Sequence, residues 1–261
     1  MKCRLCSSND LILYYTQGIN DQFRFYKCHN CKLVNYDLKG GLNQNKYSDN
    51  KYIDPNDNSR KMNIDQKNAY SFIKKNVKNR GKLLDIGCGN GKLLLEAKLD
   101  GWAVKGLELS EYLALSIKQK FGIEVEVSNF LEYKPQNNEI FDIVVLRHVL
   151  EHLPDSILAM EKINSLLKSN GIAILEFPDI ESVEIKFKRW LNNAGFYKKK
   201  YKPSYLPGHC NEFCIDSFKY LLNKTGFQLS KWEHYSSKPL LNNLYKVCNF
   251  GNKVRTVIIK N

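Results

Sequence analysis

The stretch Lys82–Gly91 reads KLLDIGCGNG and decides how the rest of the chain is interpreted. Its apolar residues predict a short buried strand, with Asp85 near its end. Three glycines then alternate with other residues, and Lys92–Leu99 has the composition of a helix. Glycines let the backbone approach a ligand, and the first amides of a helix lack partners within it. A strand, a glycine turn and a helix in this order predict a nucleotide-binding βα unit.

The next predicted strand, Val104–Leu107, leads directly into an acidic residue. That residue, Glu108, follows Gly89 at about the 20-residue distance typical of an acid that binds ribose hydroxyls. The glycines stand at alternate positions, so the turn differs from the fingerprint that cradles a pyrophosphate. The cofactor expected from this pattern therefore carries a ribose but no pyrophosphate.

This combination of residues resembles the class I S-adenosylmethionine-dependent methyltransferases over about residues 60–235. The resemblance implies S-adenosylmethionine as cofactor. It also implies an α/β fold, in which a Rossmann-like, mainly parallel seven-stranded sheet carries helices on both faces. Asn129 stands where many members have Asp, and an amide can still meet the adenine edge. The cofactor-binding residues that the resemblance implies are Asp85, Gly87, Cys88, Gly89, Glu108, Leu109, Asn129, Phe130 and Leu146.

Periodic patterns on both sides of this unit predict the rest of the sheet and its helices. An amphipathic helix between Ser59 and Gly81 leads into the core, because apolar residues recur there at helical spacing. Further predicted helices are Pro154–Lys168 and Ile215–Lys224. The further predicted strands are Ile123–Val127, Phe141–Leu146, Gly171–Phe177, Phe227–His234 and Lys253–Ile259.

Four N-terminal cysteines form two C-x2-C pairs, Cys3 with Cys6 and Cys28 with Cys31. Two such pairs can present four thiolates to one tetrahedral metal ion, whereas the βαβ context of a redox pair is missing. The residues between the pairs predict a short hairpin. We therefore expect a structural Zn²⁺ held by all four cysteines in a small zinc ribbon. The other cysteines are expected to be small buried side chains: Cys88, Cys210, Cys214 and Cys248.

Composition divides the 261 residues into three parts. Residues 1–40 form the predicted zinc ribbon, 41–58 a linker rich in Gly, Asn, Asp and Ser, and 59–261 the methyltransferase domain. The segment at about 178–212 is too long for a plain connection, so we expect an insertion beside the acceptor site. Neither a signal peptide nor a membrane span is recognisable, which predicts a cytoplasmic location and reduced cysteines.

Three histidines are candidates for acid–base chemistry. His148 and His152 lie in HVLEHLPD, just beyond the predicted fourth strand, where open α/β sheets bind ligands. His209 lies in PGHCNEF, which resembles the acceptor-side segment of many sugar-modifying methyltransferases. A histidine can remove the proton of a hydroxyl acceptor at neutral pH, so we expect these three residues at the catalytic site.

Two other interpretations of HVLEHLPD are open. His148, Glu151 and His152 could together hold a divalent metal, as a similar E-x-x-E-H segment does in some quinone-precursor O-methyltransferases. In that comparison His148 replaces the first glutamate. Alternatively, His152 caps the following helix and only orients a loop.

The predicted insertion is rich in cations and aromatic residues, among them Lys186, Phe187 and Trp190. Such a mixture suits a phosphate beside a base or a sugar face. It equally suits a solvated amphipathic helix that packs Phe187 and Trp190 inward. The net charge of +13 either favours phosphate-bearing partners or reflects a lysine-rich composition, so charge alone does not identify the partner.

A cysteine-rich ribbon directly before a small methyltransferase domain resembles enzymes that modify sugars for bacterial surface polysaccharides. The resemblance implies O-methylation of a nucleotide-linked sugar or another phosphorylated capsule precursor. An RNA base methyltransferase and a non-catalytic scaffold that only binds cofactor are the alternatives. The oligomeric state is left open by the sequence.

Overall fold

The computed structural model describes residues 1–44, 54, 56–57, 59–135, 139–196, 200–236 and 251–261. Cys248 and most of the predicted linker 41–58 lie outside these residues. Within the described ranges, no helix is both long and apolar enough to cross a bilayer.

The described residues contain strands and helices that we number in chain order. The strands are β1 (Leu11–Gln17), β2 (Phe23–Cys28), β3 (Val34–Tyr36), β4 (Lys82–Ile86), β5 (Ala103–Glu108), β6 (Val125–Val127), β7 (Phe141–Arg147), β8 (Leu167–Pro178), β9 (Asn211–Glu212), β10 (Phe227–Tyr235) and β11 (Lys253–Lys260). The helices are α1 (Arg60–Asn76), α2 (Lys92–Leu99), α3 (Glu111–Phe121), α4 (Ser156–Leu166), α5 (Val183–Asn193) and α6 (Ile215–Thr225). Short 3₁₀ turns cover Ile19–Asp21, Leu38–Gly40 and Leu150–His152.

The central sheet has seven strands in the order β10-β11-β8-β7-β4-β5-β6. The pairings within β4 to β8 are parallel, and β11 runs antiparallel to both of its neighbours. Strand order reverses between β4 and β7, and the carboxyl ends of these two strands open a crevice there, as in other doubly wound sheets. The predicted Rossmann-like, mainly parallel sheet is confirmed.

The core of the domain lies on both faces of this sheet. Alternate residues of a strand point to opposite faces, so Leu84 and Ile86 pack with α4 and α6, while Leu83 packs with α1, α2 and α3. All three leucine and isoleucine side chains are fully buried. The helices therefore cover both faces, as the sequence predicted.

The N-terminal module, residues 1–40, forms a hairpin of β1 and β2 with β3 beside it. A distant strand completes this sheet, because β9 pairs antiparallel with β3 and places Asn211 opposite Asn35. Cys3, Leu5 and Leu33 of the module belong to the same apolar cluster as α6. The module is thus packed directly against the domain that contains the seven-stranded sheet.

Helix α5 turns its aromatic residues outward. Phe187 and Trp190 are 52% and 57% exposed, and their rings stack with centroids 5.9 Å apart. The interpretation that packs them inward is therefore wrong. Of the neighbouring cations, Lys186 pairs with Glu181 and Lys188 with Glu184.

Candidate active site

A cavity of about 370 Å³ opens at the carboxyl ends of β4, β5 and β7. Its size lies at the lower end of the usual range for small-molecule sites. The sequence-predicted site residues that line it are Asp85, Gly87, Cys88, Gly89, Glu108, Leu109, Asn129, Phe130, His148 and His152. Helix α1 contributes Met62, Asp65 and Gln66 to the wall, which sequence reasoning did not anticipate.

Two predicted site residues lie outside this lining. Leu146 is buried in the apolar core, on the face of β7 that packs against α4 and α6. His209 lies beside the cavity, where its ring is 4.8 Å from that of His152, centroid to centroid. The structure thus brings His209 to the cavity through its contact with His152.

The glycine turn after β4 has a backbone conformation that favours glycine. Gly87, Gly89 and Gly91 have φ angles of +70°, +58° and +72°. A Cβ atom on Gly87 would lie 2.7 Å from Cγ2 of Val149. Left-handed backbone and close approach together explain why the sequence has glycines here, and they bring main-chain atoms to the cavity wall.

Glu108 is bound tightly to this turn. Its Oε2 accepts a hydrogen bond from the Gly89 amide at 2.8 Å, and its Oε1 accepts from the amides of Leu109 and Ser110 at 2.8 and 3.2 Å. Burial raises the pKa of the carboxyl, and these three amides oppose that rise. A carboxylate has about four acceptor sites, so a further donor can still bind.

Asp85 is buried at the base of the cavity. Burial raises the pKa of its carboxyl to about 7, an effect that Arg147 opposes and Glu108 reinforces. The carboxyl is therefore poised to change its charge near neutral pH. A cationic ligand group beside it would favour the ionised form.

Arg147, at the end of β7, links the sheet to α1. Its guanidinium contacts Glu176 of β8 at 2.8 Å and Asp65 of α1 at 2.7 Å, and it donates to Gln66 at 2.6 Å. Arg255 of β11 binds the other oxygen of Glu176 at 2.7 Å. Sequence reasoning missed this network, although charged residues within apolar strands were a signal, because buried charges are generally paired.

The HVLEHLPD segment forms a 3₁₀ turn at Leu150–His152. His148 itself has a φ of +57°, which is uncommon for a residue with a side chain. Its Nδ1 lies 3.4 Å from Oε1 of Glu151, and its Nε2 lies 3.2 Å from the hydroxyl of Tyr235.

The hydroxyl of Tyr235 lies between Nε2 of His148 and the carboxylate of Glu176. It donates to Glu176 at 2.8 Å, so its oxygen is left to accept from Nε2 of His148. Nδ1 of His148 faces the carboxylate of Glu151 and is also placed as a donor. His148 is thus held between Tyr235 and Glu151, an arrangement that suits orientation of Glu151.

His152 is arranged differently. Its Nδ1 lies 2.7 Å from the carbonyl oxygen of Gly208, which can only accept. In the neutral ring the proton therefore sits on Nδ1, and Nε2 is the basic nitrogen. This tautomer is the one required of a general base that acts through Nε2.

Glu151 lies at the centre of the histidine cluster. Its side chain is 2% exposed, and within the described residues its Oε2 has no hydrogen-bond partner. Burial alone would raise the pKa of this carboxyl, but His148, His152 and His209 outweigh it and hold the pKa at about 2. The carboxylate is thus a fixed negative charge among three histidines.

The residues that could together hold a metal ion differ from the set suggested by the sequence, which was His148, Glu151 and His152. Glu151, His152 and His209 each place one ligand atom within 4.8 Å of the others. His209 thus takes the place of His148 in the set. The same arrangement also suits proton transfer, with the carboxylate facing two imidazoles.

Comparison with known proteins identifies the family. A family model described as a methyltransferase domain matches residues 57–231. The chain belongs to this methyltransferase family. A relative named ubiquinone biosynthesis O-methyltransferase, from Pasteurella multocida, is 26% identical over 54% of this chain and 69% of its own length. The Histophilus somni protein of that name is 28% identical over 42% of this chain, and the match spans about half of that relative, 48%.

Solved structures share the fold of this methyltransferase. A Pyrococcus horikoshii protein superposes with a TM-score of 0.60 at 18% identity, covering 80% of this chain and 95% of its own. The magnesium protoporphyrin IX methyltransferase of Synechocystis, solved with bound S-adenosylhomocysteine, has a TM-score of 0.54 at 15% identity, with coverage of 77% and 84%. At these identities the likeness concerns the fold.

The N-terminal cysteines of this methyltransferase converge on one point. The Sγ atoms of Cys3 and Cys31 are 3.4 Å apart, as are those of Cys6 and Cys28, and all four lie within 4.8 Å of one another. Tetrahedral coordination with metal–sulfur bonds of about 2.3 Å places the sulfurs about 3.8 Å apart. The amide of Asn35 donates to the sulfur of Cys3 at 3.6 Å, as an outer partner of a ligand would. The four residues therefore fit a tetrahedral metal ion.

The remaining described cysteines are buried, as predicted. They are Cys88, Cys210 and Cys214.

Proposed function

We propose that this methyltransferase transfers the methyl group of S-adenosylmethionine to a hydroxyl of a sugar, as a nucleotide-linked or otherwise phosphorylated surface-polysaccharide precursor. The observation that carries the proposal is the cluster of His148, His152 and His209 around Glu151. Of these residues, His148 and His152 line the same cavity as the glycine turn. A base beside a cofactor site is what hydroxyl methylation requires.

The cofactor, when bound, supplies a methyl group on a positively charged sulfur. The residues present suit such a ligand: the backbone at Gly87 and Gly89 can approach it closely, and Glu108 retains acceptor capacity for a ribose hydroxyl. Asp85 places a carboxyl where it can meet a cationic group of the ligand. Asn129 and Phe130 line the same cavity, where they are suited to an adenine.

The acceptor's proton would go to Nε2 of His152, since Nδ1 of that ring already donates to Gly208. The Glu151 carboxylate stabilises the resulting positive charge without itself taking the proton, because its pKa is held at about 2. His209 contacts the ring of His152 and fixes its orientation. General-base assistance of this kind is typically worth about 10²–10⁴ in rate.

We propose also that Cys3, Cys6, Cys28 and Cys31 hold a structural Zn²⁺. With four sulfur ligands the coordination is closed, so the ion would stabilise the N-terminal module and leave the chemistry to other residues.

The sugar acceptor is supported by the resemblance of PGHCNEF to sugar-modifying methyltransferases. The cations of α5 add little to this argument, since Lys186 and Lys188 are paired with acids and Arg189 stacks on Tyr14, 4.0 Å from the ring centroid. A phenolic hydroxyl is the second candidate, because the matched relatives are named for ubiquinone biosynthesis. A phenol ionises near pH 10 and needs less help from a base than a sugar hydroxyl does.

An acceptor panel tests the proposal. The purified protein is incubated with S-adenosylmethionine labelled in the methyl group and with nucleotide-linked sugars, free sugars, catechol-type phenols or RNA. We expect label in a nucleotide-linked sugar, on oxygen. Label in a phenol alone would support the second candidate, and label in RNA would identify a base methyltransferase. Cofactor binding without methyl transfer to any of these acceptors would indicate a non-catalytic, cofactor-binding scaffold and overturn the proposal.

A further inference from the structure

Strand β9 lies between the N-terminal module and the turn that carries Glu151. On one side, the amide of Cys210 donates to the carbonyl oxygen of Glu151 at 3.0 Å, and Nδ2 of Asn211 donates to that of Leu153 at 2.8 Å. On the other side, the amide of Tyr36 donates to the carbonyl oxygen of Cys210 at 3.0 Å. The segment that follows His209 is therefore held from both sides.

The side chain of Arg4 makes several contacts at this junction. It lies between Cys3 and Cys6, inside the first cysteine pair. Its Nε donates to Oδ1 of Asn211 at 3.0 Å, its Nη1 to the carbonyl oxygen of Tyr36 at 3.0 Å, and its Nη2 to that of Cys210.

The backbone of Arg4 is fixed as well, because its amide donates to Oδ1 of Asn35 at 2.9 Å. Asn35 in turn donates to the sulfur of Cys3. A guanidinium that donates in several directions at once is held in one orientation, and it holds its acceptors in place. The position of Cys210 is thus tied to the geometry of the first cysteine pair.

We infer that Arg4 is a positioning residue for His209, and that the N-terminal module sets the acceptor side of the catalytic site through it. His209 immediately precedes Cys210, whose carbonyl oxygen binds Arg4, and its ring contacts His152. Without the guanidinium, the carbonyl oxygens of Cys210 and Tyr36 lose a donor and the junction loosens. These hydrogen bonds of Arg4 involve neither the glycine turn nor Glu108, so we expect the affinity for the cofactor to be unaffected. The inference rests on the proposed function above.

The test compares Arg4→Met and Arg4→Lys with Arg24→Met, a control at an exposed arginine of the same module. Proteins labelled at histidine are examined by NMR, with the His209 and His152 signals assigned from His209→Asn and His152→Asn spectra. We expect the signals of His209 and His152 to shift in Arg4→Met and to shift by a smaller amount in Arg4→Lys. The signals of His29 and His234 should keep their positions in both variants. Zinc content and S-adenosylhomocysteine affinity should equal those of the parent. The kcat should fall about tenfold or more, toward the roughly 10²–10⁴-fold loss typical of removing a general base.

Unchanged His209 and His152 signals in Arg4→Met would overturn the inference. Shifts of all histidine signals together, or loss of zinc, would also overturn it, since Arg4 would then only stabilise the module. The NMR and binding measurements need no acceptor. Failure of the acceptor panel would therefore refute the proposed function, while the spectra would still decide whether Arg4 positions His209.

Discussion

The backbone amide of Gly89 donates a hydrogen bond of 2.8 Å to Oε2 of Glu108, which joins the glycine turn after β4 to the acid at the end of β5. The two features that identified the cofactor site in the sequence are therefore one physical unit. A change at Glu108 removes a ligand contact and also an acceptor that shapes the turn.

Glu108→Ala is expected to weaken S-adenosylmethionine binding by about 1–3 kcal/mol, or roughly 5- to 150-fold in Kd. The reason is the loss of a charged acceptor for both the ribose and the turn amides. Titration calorimetry measures the change, with Glu111→Ala, an exposed acid at the start of α3, as the control. Equal affinities in the two variants would refute the ribose assignment.

Cofactor affinity should depend on pH through Asp85. Below its pKa of about 7 the carboxyl is neutral in the free protein, and a cationic ligand favours its ionised form. Binding therefore releases a proton, and affinity should rise with pH, by at most about tenfold per unit, before levelling off above pH 7. Calorimetry between pH 5.5 and about 8 measures this. In Asp85→Asn the slope should disappear, and a slope that persists would assign the linkage to another group.

Among the histidines, His152→Asn should give the largest loss of turnover, about 10²–10⁴-fold with the true acceptor. The lower limb of its pH–rate profile should disappear, because the base that must be deprotonated is gone. His148→Asn is expected to cost less, since both of its nitrogens face protein groups, Tyr235 and Glu151. S-adenosylhomocysteine affinity should stay near that of the parent in each case. His29→Asn, at an exposed histidine, is the control. Normal turnover in His152→Asn would leave positioning alone to account for the rate.

Metal analysis of freshly reduced protein should find about one zinc per chain. Cys28→Ser is expected to lose it and to disorder the N-terminal module, while the methyltransferase domain still binds cofactor. Because β9 pairs with β3, turnover should fall together with the zinc. The control His29→Asn, in the second cysteine pair, should retain the metal. Parent protein without zinc would refute the assignment.

The sequence predicted the parts of this molecule that local signals determine. KLLDIGCGNG and the spacing to Glu108 identify the cofactor turn because strand, glycine and helix signals are adjacent in the chain. Periodic patterns of apolar residues then predicted the remaining strands of the sheet. Two short cysteine pairs likewise predicted a cluster that the fold brings together.

Features that depend on distant contacts were not predictable in this way. The pairing of β9 with β3 places Asn211 opposite Asn35, and no local sequence pattern in the two-residue strand β9 predicts it. The Leu150–His152 turn is held by contacts with the backbone of Gly208 and Cys210, which are distant in the chain. The partners of Arg147 come from two separate elements, β8 and α1.

The pairing of β9 with β3 also bears on how the chain is made. Arg4 and its partner Asn211 are 207 positions apart. At about 5–20 residues per second, roughly 10–40 s of translation separate them. During that time β3 has an open edge, with unpaired backbone groups that other strands can bind. Because the module precedes β9 in the chain, its sheet stays incomplete until β9 has been synthesised.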